Sequence, residues 1–272
     1  MFDAYKVLAM VEIKRASKRS MSTKFWHIIL LILFLFFPVR YKAITLLYAW
    51  FRKTDDVIDG EEHTPPGYDI CSYIEQKQDL IDAKDTFLLD EDKMYLWATR
   101  ALSQRGIDLS EEIQDLFLAM KKEYLNKGKF PKRAEIESKI LLQDRAVLMM
   151  LVKVHSKHYK PLDPVLFDFF TRVDALMDIE EDIEKGIINI PYEDALEMGI
   201  DPRSLPSFGG LIKNHHFKKW YLKELDKAIL KSIKIKKIME ERRELFLLKV
   251  IFDILDIKKR LELLKQSPFL FL

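Results

Sequence analysis

Apolar residues recur at three- and four-residue spacing through almost the whole of this 272-residue chain, and no window of period-two alternation rivals that pattern. Such a chain folds as helices, each with an apolar face and a charged one. Composition agrees: 49% of residues are hydrophobic and 32% charged, while 8 glycines and 10 prolines leave little room for a turn-rich β architecture. The expected fold class is all-α, a helical bundle in a single domain over residues 1–272. The pattern places helices at 3–19, 22–36, 39–59, 70–84, 91–105, 109–127, 133–156, 162–185, 192–198, 215–239 and 241–265. Breaks fall at Thr64-Pro65-Pro66-Gly67, at Lys160-Pro161-Leu162-Asp163-Pro164 and between Asp201 and Gly210, where proline and glycine interrupt the periodicity. None resembles a flexible interdomain linker.

The 45 basic and 43 acidic residues nearly cancel, so net charge gives no argument for a nucleic-acid partner. Cys71 is the only cysteine, which excludes an internal disulfide and any multi-cysteine metal site and fits a reducing compartment. The apolar run from Ile28 to Val39 follows Lys14, Arg15, Lys18, Arg19 and Lys24 in the manner of a signal peptide. It is shorter than the roughly 20 residues a membrane span needs, and no small-residue cleavage site follows. It reads as a buried or membrane-touching helix in a cytoplasmic protein peripheral to a membrane. The lysine-rich stretch Lys231 to Lys237 reads as a solvated helix face or as a contact for anionic lipid headgroups. The apolar tail at 267–272 reads as packed, membrane-touching or disordered.

Two acidic clusters carry the chemistry. In Asp55-Asp56-Val57-Ile58-Asp59, helical geometry puts Asp55 and Asp59 one turn apart and brings Asp56 to the same side. Like charges so crowded repel, and a hard divalent cation relieves them: Mg²⁺ takes carboxylates together with substrate phosphate oxygens. Arg52, one turn earlier, is placed to bind phosphate or to hold Asp55 and Asp56. The second cluster is Asp178-Ile179-Glu180-Glu181-Asp182, where Asp174, Asp178 and Asp182 form a ladder at four-residue spacing between Phe169, Phe170, Val173, Leu176, Met177 and Ile179. Carboxylates on such a stripe are costly unless a cation or a water-filled space receives them. Two such helices facing each other make a metal cage.

The stretch from Arg40 through Leu47-Tyr48-Ala49-Trp50-Phe51-Arg52-Lys53-Thr54 into the first motif resembles the first aspartate-rich helix of squalene and phytoene synthases. The stretch Leu176 to Pro191, with its glycine and proline after the acids, resembles that family's second motif. The resemblance extends from about Ser20 to about Glu262 in spacing and helix order. It implies an isoprenoid-synthase-like bundle with a central apolar cavity, two or three Mg²⁺ ions at its mouth, a prenyl diphosphate substrate, and head-to-head condensation with diphosphate release. Some family members add an NADPH-dependent reduction. By position the resemblance assigns Asp55, Asp59, Asp178 and Asp182 to metal, puts Asp174 where the family has a metal-binding asparagine, and assigns Tyr48 and Arg52 to the site and Ser20 and Ser22 to a segment that touches phosphate; helix geometry adds Asp56 to the metal set.

Thr171 and Met177 stand where the family has glutamine and arginine, and bulky residues fill 137–150 where it has a tyrosine- and glycine-rich helix. Two alternatives therefore stay open: a class I terpene cyclase or synthase using one prenyl diphosphate, and a non-catalytic lipid- or protein-binding bundle. Other candidates weigh less. His155 with His158, and His215 with His216, lack a suitably spaced third ligand and read as structural or solvated. Glu123 and Tyr124 face either a cavity or the ordinary core and surface. Asp144 and Arg145 read as a charged contribution to a cavity or as an ion pair.

Overall fold

The structure, a computed structural model, describes residues 2–17, 34, 36–156, 162–242, 245, 249, 252–253 and 256–266. It is all-α, with no strand among the described residues. Contacts divide the chain into two compact units, Met1–Phe117 and Leu118–Leu272.

The first unit contains α1 (Phe2–Ser17), α2 (Val39–Ile58), α3 (Ile70–Ile81), α4 (Asp92–Ser103) and the start of α5 (Ser110–Asn126). Its main packing is α2 on α4, with α1 against both and α3 against α2. The reason lies in α2, whose periodic residues Ala43, Leu46, Leu47, Ala49 and Trp50 are all buried, Trp50 completely. Each large side chain so buried contributes about 1.5–3 kcal/mol. The small Ala43 and Ala98 let the helices approach, and the Trp50 and Tyr95 rings meet at 4.8 Å.

Beneath Trp50 lies a buried polar knot. Lys77 Nζ donates to Asp92 Oδ1 at 2.6 Å, the Trp50 indole donates to the same oxygen at 3.0 Å, and Gln76 and the Leu89 amide bond Asp92 Oδ2, each at 2.9 Å. Lys77 also pairs with Glu91 at 3.1 Å and lies over the Tyr73 ring. A buried charge survives only when paired and hydrogen-bonded in this way. The knot fixes α2 against α3 and α4.

The second unit holds the rest of α5 and then α6 (Arg133–His155), a 3₁₀ turn (Pro164–Asp168), α7 (Phe170–Met177), α8 (Ile179–Glu184), α9 (Tyr192–Glu197), α10 (Phe208–Leu211), α11 (His215–Glu241) and α12 (Ile257–Gln266). Its core joins Leu148 and Val152 of α6, Val173 and Leu176 of α7, and Phe217, Tyr221 and Leu225 of α11.

The expected helix over 162–185 is in fact three pieces. Asp144, buried on α6, accepts the amides of Phe169 at 2.7 Å, Phe170 at 3.0 Å and Thr171 at 2.9 Å, and the Thr171 hydroxyl at 2.6 Å. It thereby caps α7 from another helix and starts it afresh at Phe170. Asp144 is a cap, neither a cavity charge nor half of an ion pair with a neighbouring base. The second break is Asp178, whose φ of −103° and ψ of 15° end α7 and precede α8. The short α10 falls inside the proline- and glycine-containing stretch read as a break, started by the Ser207 side chain accepting from Gly210. Most of the expected helix at 22–36, the middle of that at 241–265, and the tail from 267 lie outside the described residues.

Candidate metal-binding carboxylate clusters

In the first unit the acidic motif occupies the last turn of α2 and its C-cap. Asp59 donates its amide to the Asp55 carbonyl at 2.8 Å, and Gly60 follows in the left-handed region at φ +81°, which turns the chain away at once. The Glu62 amide returns to the Asp56 carbonyl at 2.9 Å, closing the turn. Carboxylates at a helix C-terminus face the negative end of the macrodipole, which disfavours each by about 0.3–1 kcal/mol when exposed. Arg52 offsets them: Nη1 bonds Asp55 Oδ2 at 2.9 Å and Nε lies 3.4 Å from Asp56 Oδ1. Burial works against the charge on Arg52, but the adjacent Asp55 and Asp56 outweigh it and raise the guanidinium's pKa above its ordinary value. Lys53 pairs with Glu62 on the same turn. Asp56 is buried, Asp55 and Asp59 are half-buried, and Tyr48, one turn before Arg52, is 62% exposed. Ser20 and Ser22 lie outside the described residues.

The second unit carries the other cluster around the α7–α8 break. Asp174 and Asp178, both exposed, lie at the C-terminal end of α7, again the negative end of a helix. The amides of Asp178 and Asp182 each reach the carbonyl four residues back at 2.8 Å, so the aspartate ladder continues through the break although α7 and α8 are separate helices. Tyr221 of α11 donates to the Leu176 carbonyl at 2.8 Å and satisfies one of the acceptors that α7 leaves at its end.

Asp182 is half-buried on the first turn of α8. Behind it Gly186, at φ +78°, turns the chain so that the Ile187 amide bonds the Asp182 carbonyl at 2.7 Å. That turn brings Asn189 back, and its Nδ2 donates to Asp182 Oδ2 at 2.8 Å. Lys139 of α6 donates to Asn189 Oδ1 at 2.9 Å and forms an ion pair with Glu123 of α5. Burial raises the Asp182 carboxyl first and the Glu123 charge second; the Asn189 hydrogen bond pulls it back, Asp178 pushes it up again and Lys139 pulls it down. The outcome is a pKa of about 7. An all-oxygen donor set this crowded suits a hard divalent cation, which would favour the ionised form.

Lys139 and Asn189 are site neighbours that motif reading does not single out. Glu123 belongs to the charge environment of Asp182 instead of being an ordinary surface acid. Asn189 carries a signal only in its place, just after Gly186 and before Pro191. Thr171 serves the α7 cap, and Met177 is half-buried against the core. His215 and His216 are exposed at the start of α11 with ring centres 6.0 Å apart, and His155 is half-buried at the end of α6. His158 lies outside the described residues. Lys231 bonds the Asp168 carbonyl and carboxylate, so one member of the lysine-rich stretch is structural.

No protein-family model, curated protein or solved structure matches the chain.

Proposed function

We propose that the chain is a Mg²⁺-dependent prenyltransferase acting on allylic prenyl diphosphates, of the squalene and phytoene synthase type, and peripheral to a membrane. The observation that carries this reading is the like-charge crowding at Asp182, where burial and two neighbouring acids hold a carboxyl near pKa 7 despite Asn189 and Lys139. The first cluster supports it, since three aspartates share a helix end where only positive charge is favoured. No helix among the described residues is long and apolar enough to cross a membrane.

The residues that would hold Mg²⁺ are Asp55 and Asp59 in the first unit and Asp174, Asp178 and Asp182 in the second. When bound, the ion supplies Lewis-acid neutralisation of the departing diphosphate. Arg52, held by Asp55 and Asp56, would present a planar fork to phosphate oxygens. Asn189 orients the Asp182 carboxylate, and Lys139 orients Asn189. An apolar chamber would then exclude water from the allylic cation, with aromatic faces to stabilise it.

One observation favours a single-substrate reaction as the second reading. In α6, Leu148 and Val152 fill the core and Asp144 is committed to capping α7, so this helix serves as a strut where the resembled family opens space.

The test is incubation of the purified chain with geranyl, farnesyl or geranylgeranyl diphosphate and Mg²⁺, with and without NADPH, followed by diphosphate release and hydrocarbon extraction. A product of doubled carbon count supports coupling, and a monomeric hydrocarbon or alcohol supports the second reading. Asp55→Ala and Asp178→Ala should each lower turnover about 10²–10³-fold with helical circular dichroism unchanged. No turnover with any chain length defeats both enzyme readings and leaves a non-catalytic bundle.

A further inference from the structure

The outer face of α11 combines two features that solvent alone does not explain. Leu230 is 70% exposed and Ile233 51% exposed, on the side of the helix opposite its buried Phe217, Tyr221, Ala228 and Ile235. Helical spacing sets Lys223, Leu230, Lys234 and Lys237 in one stripe, and all three lysines are exposed. The α12 helix packs on α11 through Ile257, Leu261 and Leu264, while Leu263 stays 45% exposed beside exposed Lys259 and Arg260. Asp226, the acid one turn before Leu230, is neutralised by Lys265 of α12.

Together α11 and α12 carry twelve lysines and arginines against five acidic residues, in a chain whose net charge is only +2. Positive charge is therefore concentrated on this pair of helices. Large aliphatic side chains standing among lysines, whose stems are themselves apolar, match a surface that is anionic outside and hydrocarbon within.

We infer that the exposed α11–α12 face docks onto the surface of an anionic lipid bilayer, with Leu230, Ile233 and Leu263 entering the headgroup boundary and the lysines meeting lipid phosphates. A nucleic acid would account for the lysines but gives no role to the three aliphatic side chains. The inference rests on the membrane-peripheral part of the proposed function and is independent of the diphosphate chemistry, because none of these residues belongs to either carboxylate cluster.

The experiment is flotation of the full chain with phosphatidylcholine vesicles and with vesicles containing phosphatidylglycerol as well. Binding is expected only to the anionic vesicles and weakens as salt rises. A Lys223→Glu, Lys234→Glu, Lys237→Glu variant should lose about tenfold or more in partitioning. Leu230→Ser with Ile233→Ser should lose about tenfold although every charge is kept, a result that electrostatics alone would not produce. Circular dichroism verifies that both variants remain helical. Absence of vesicle binding, equal binding to neutral vesicles, or wild-type binding by both variants overturns the inference. Capture on immobilised polyglutamate without vesicle binding overturns it in favour of an acidic protein partner.

Discussion

The carboxylates at the end of α2 and those around the α7–α8 break are both crowded, yet their charge is offset from different distances. Asp55 and Asp56 find Arg52 three and four residues earlier on the same helix. Asp182 finds another acid, Asp178, at that position, and its nearer base Lys185 is paired with Glu181. Its support comes from Asn189 across a glycine turn and, through Asn189, from Lys139 on α6. The scaffolds differ likewise. The first cluster rides on a helix fixed by a buried ion pair, and the second follows a helix started by a carboxylate on three backbone amides. Local compensation leaves Asp55 and Asp56 of the first cluster beside a base, whereas compensation at a distance leaves Asp182 with a raised pKa.

The largest expected effects test the scaffolds. Lys77→Met strands the Asp92 carboxylate in the core and should cost about 3–5 kcal/mol in urea unfolding. Asp144→Ala removes four hydrogen bonds and a helix cap and should cost about 2–3 kcal/mol. A loss below about 1 kcal/mol for either would break the claim that its cluster depends on that anchor.

The clusters themselves should respond with opposite signs to loss of their partners. In Mg²⁺ titration calorimetry without substrate, Asn189→Leu should weaken binding about 10–100-fold, as loss of an orienting hydrogen bond does. Arg52→Ala should instead tighten binding several-fold, because it removes a competing cation. Weakening by both would show that Arg52 orients its aspartates more than it neutralises them.

The smallest effect is in pH. The Asp182 carboxyl holds its proton up to about pH 7 in the folded chain. In the unfolded chain it does so only to about pH 4. The folded state thus carries the extra proton between those values. Its contribution to stability is complete below about pH 4 and is lost as pH rises through about 7. Mg²⁺ needs the ionised form, so affinity should climb by up to about tenfold per pH unit to near pH 7 and then level off. Asp182→Asn should abolish that slope, and an unchanged slope would assign it to another group.

The helices and both acidic motifs are legible in the sequence because three- and four-residue spacing is a local property. Arg52 beside Asp55 follows from the same arithmetic. The restart of α7 is not legible, since Asp144 lies 25 residues before the amide it caps and looks like any acid on an amphipathic helix. Nor is the reach of Asn189 to Asp182, which depends on a left-handed glycine, or the pairing of Lys77 with Asp92. Each of these joins residues on separate turns or separate helices, and periodicity carries no information about which of them meet.

Two tryptophans with hydrogen-bonded indoles give the halves of the molecule distinguishable light signals. Trp50, wholly buried, donates to Asp92 in the first unit, and Trp220, half-buried, donates to Asp194 in the second. An indole sealed from water emits at shorter wavelength and resists soluble quenchers, whereas a half-exposed one does neither fully. With the remaining tryptophans replaced by phenylalanine, emission colour and quenching would follow each unit separately as it binds a ligand or comes apart.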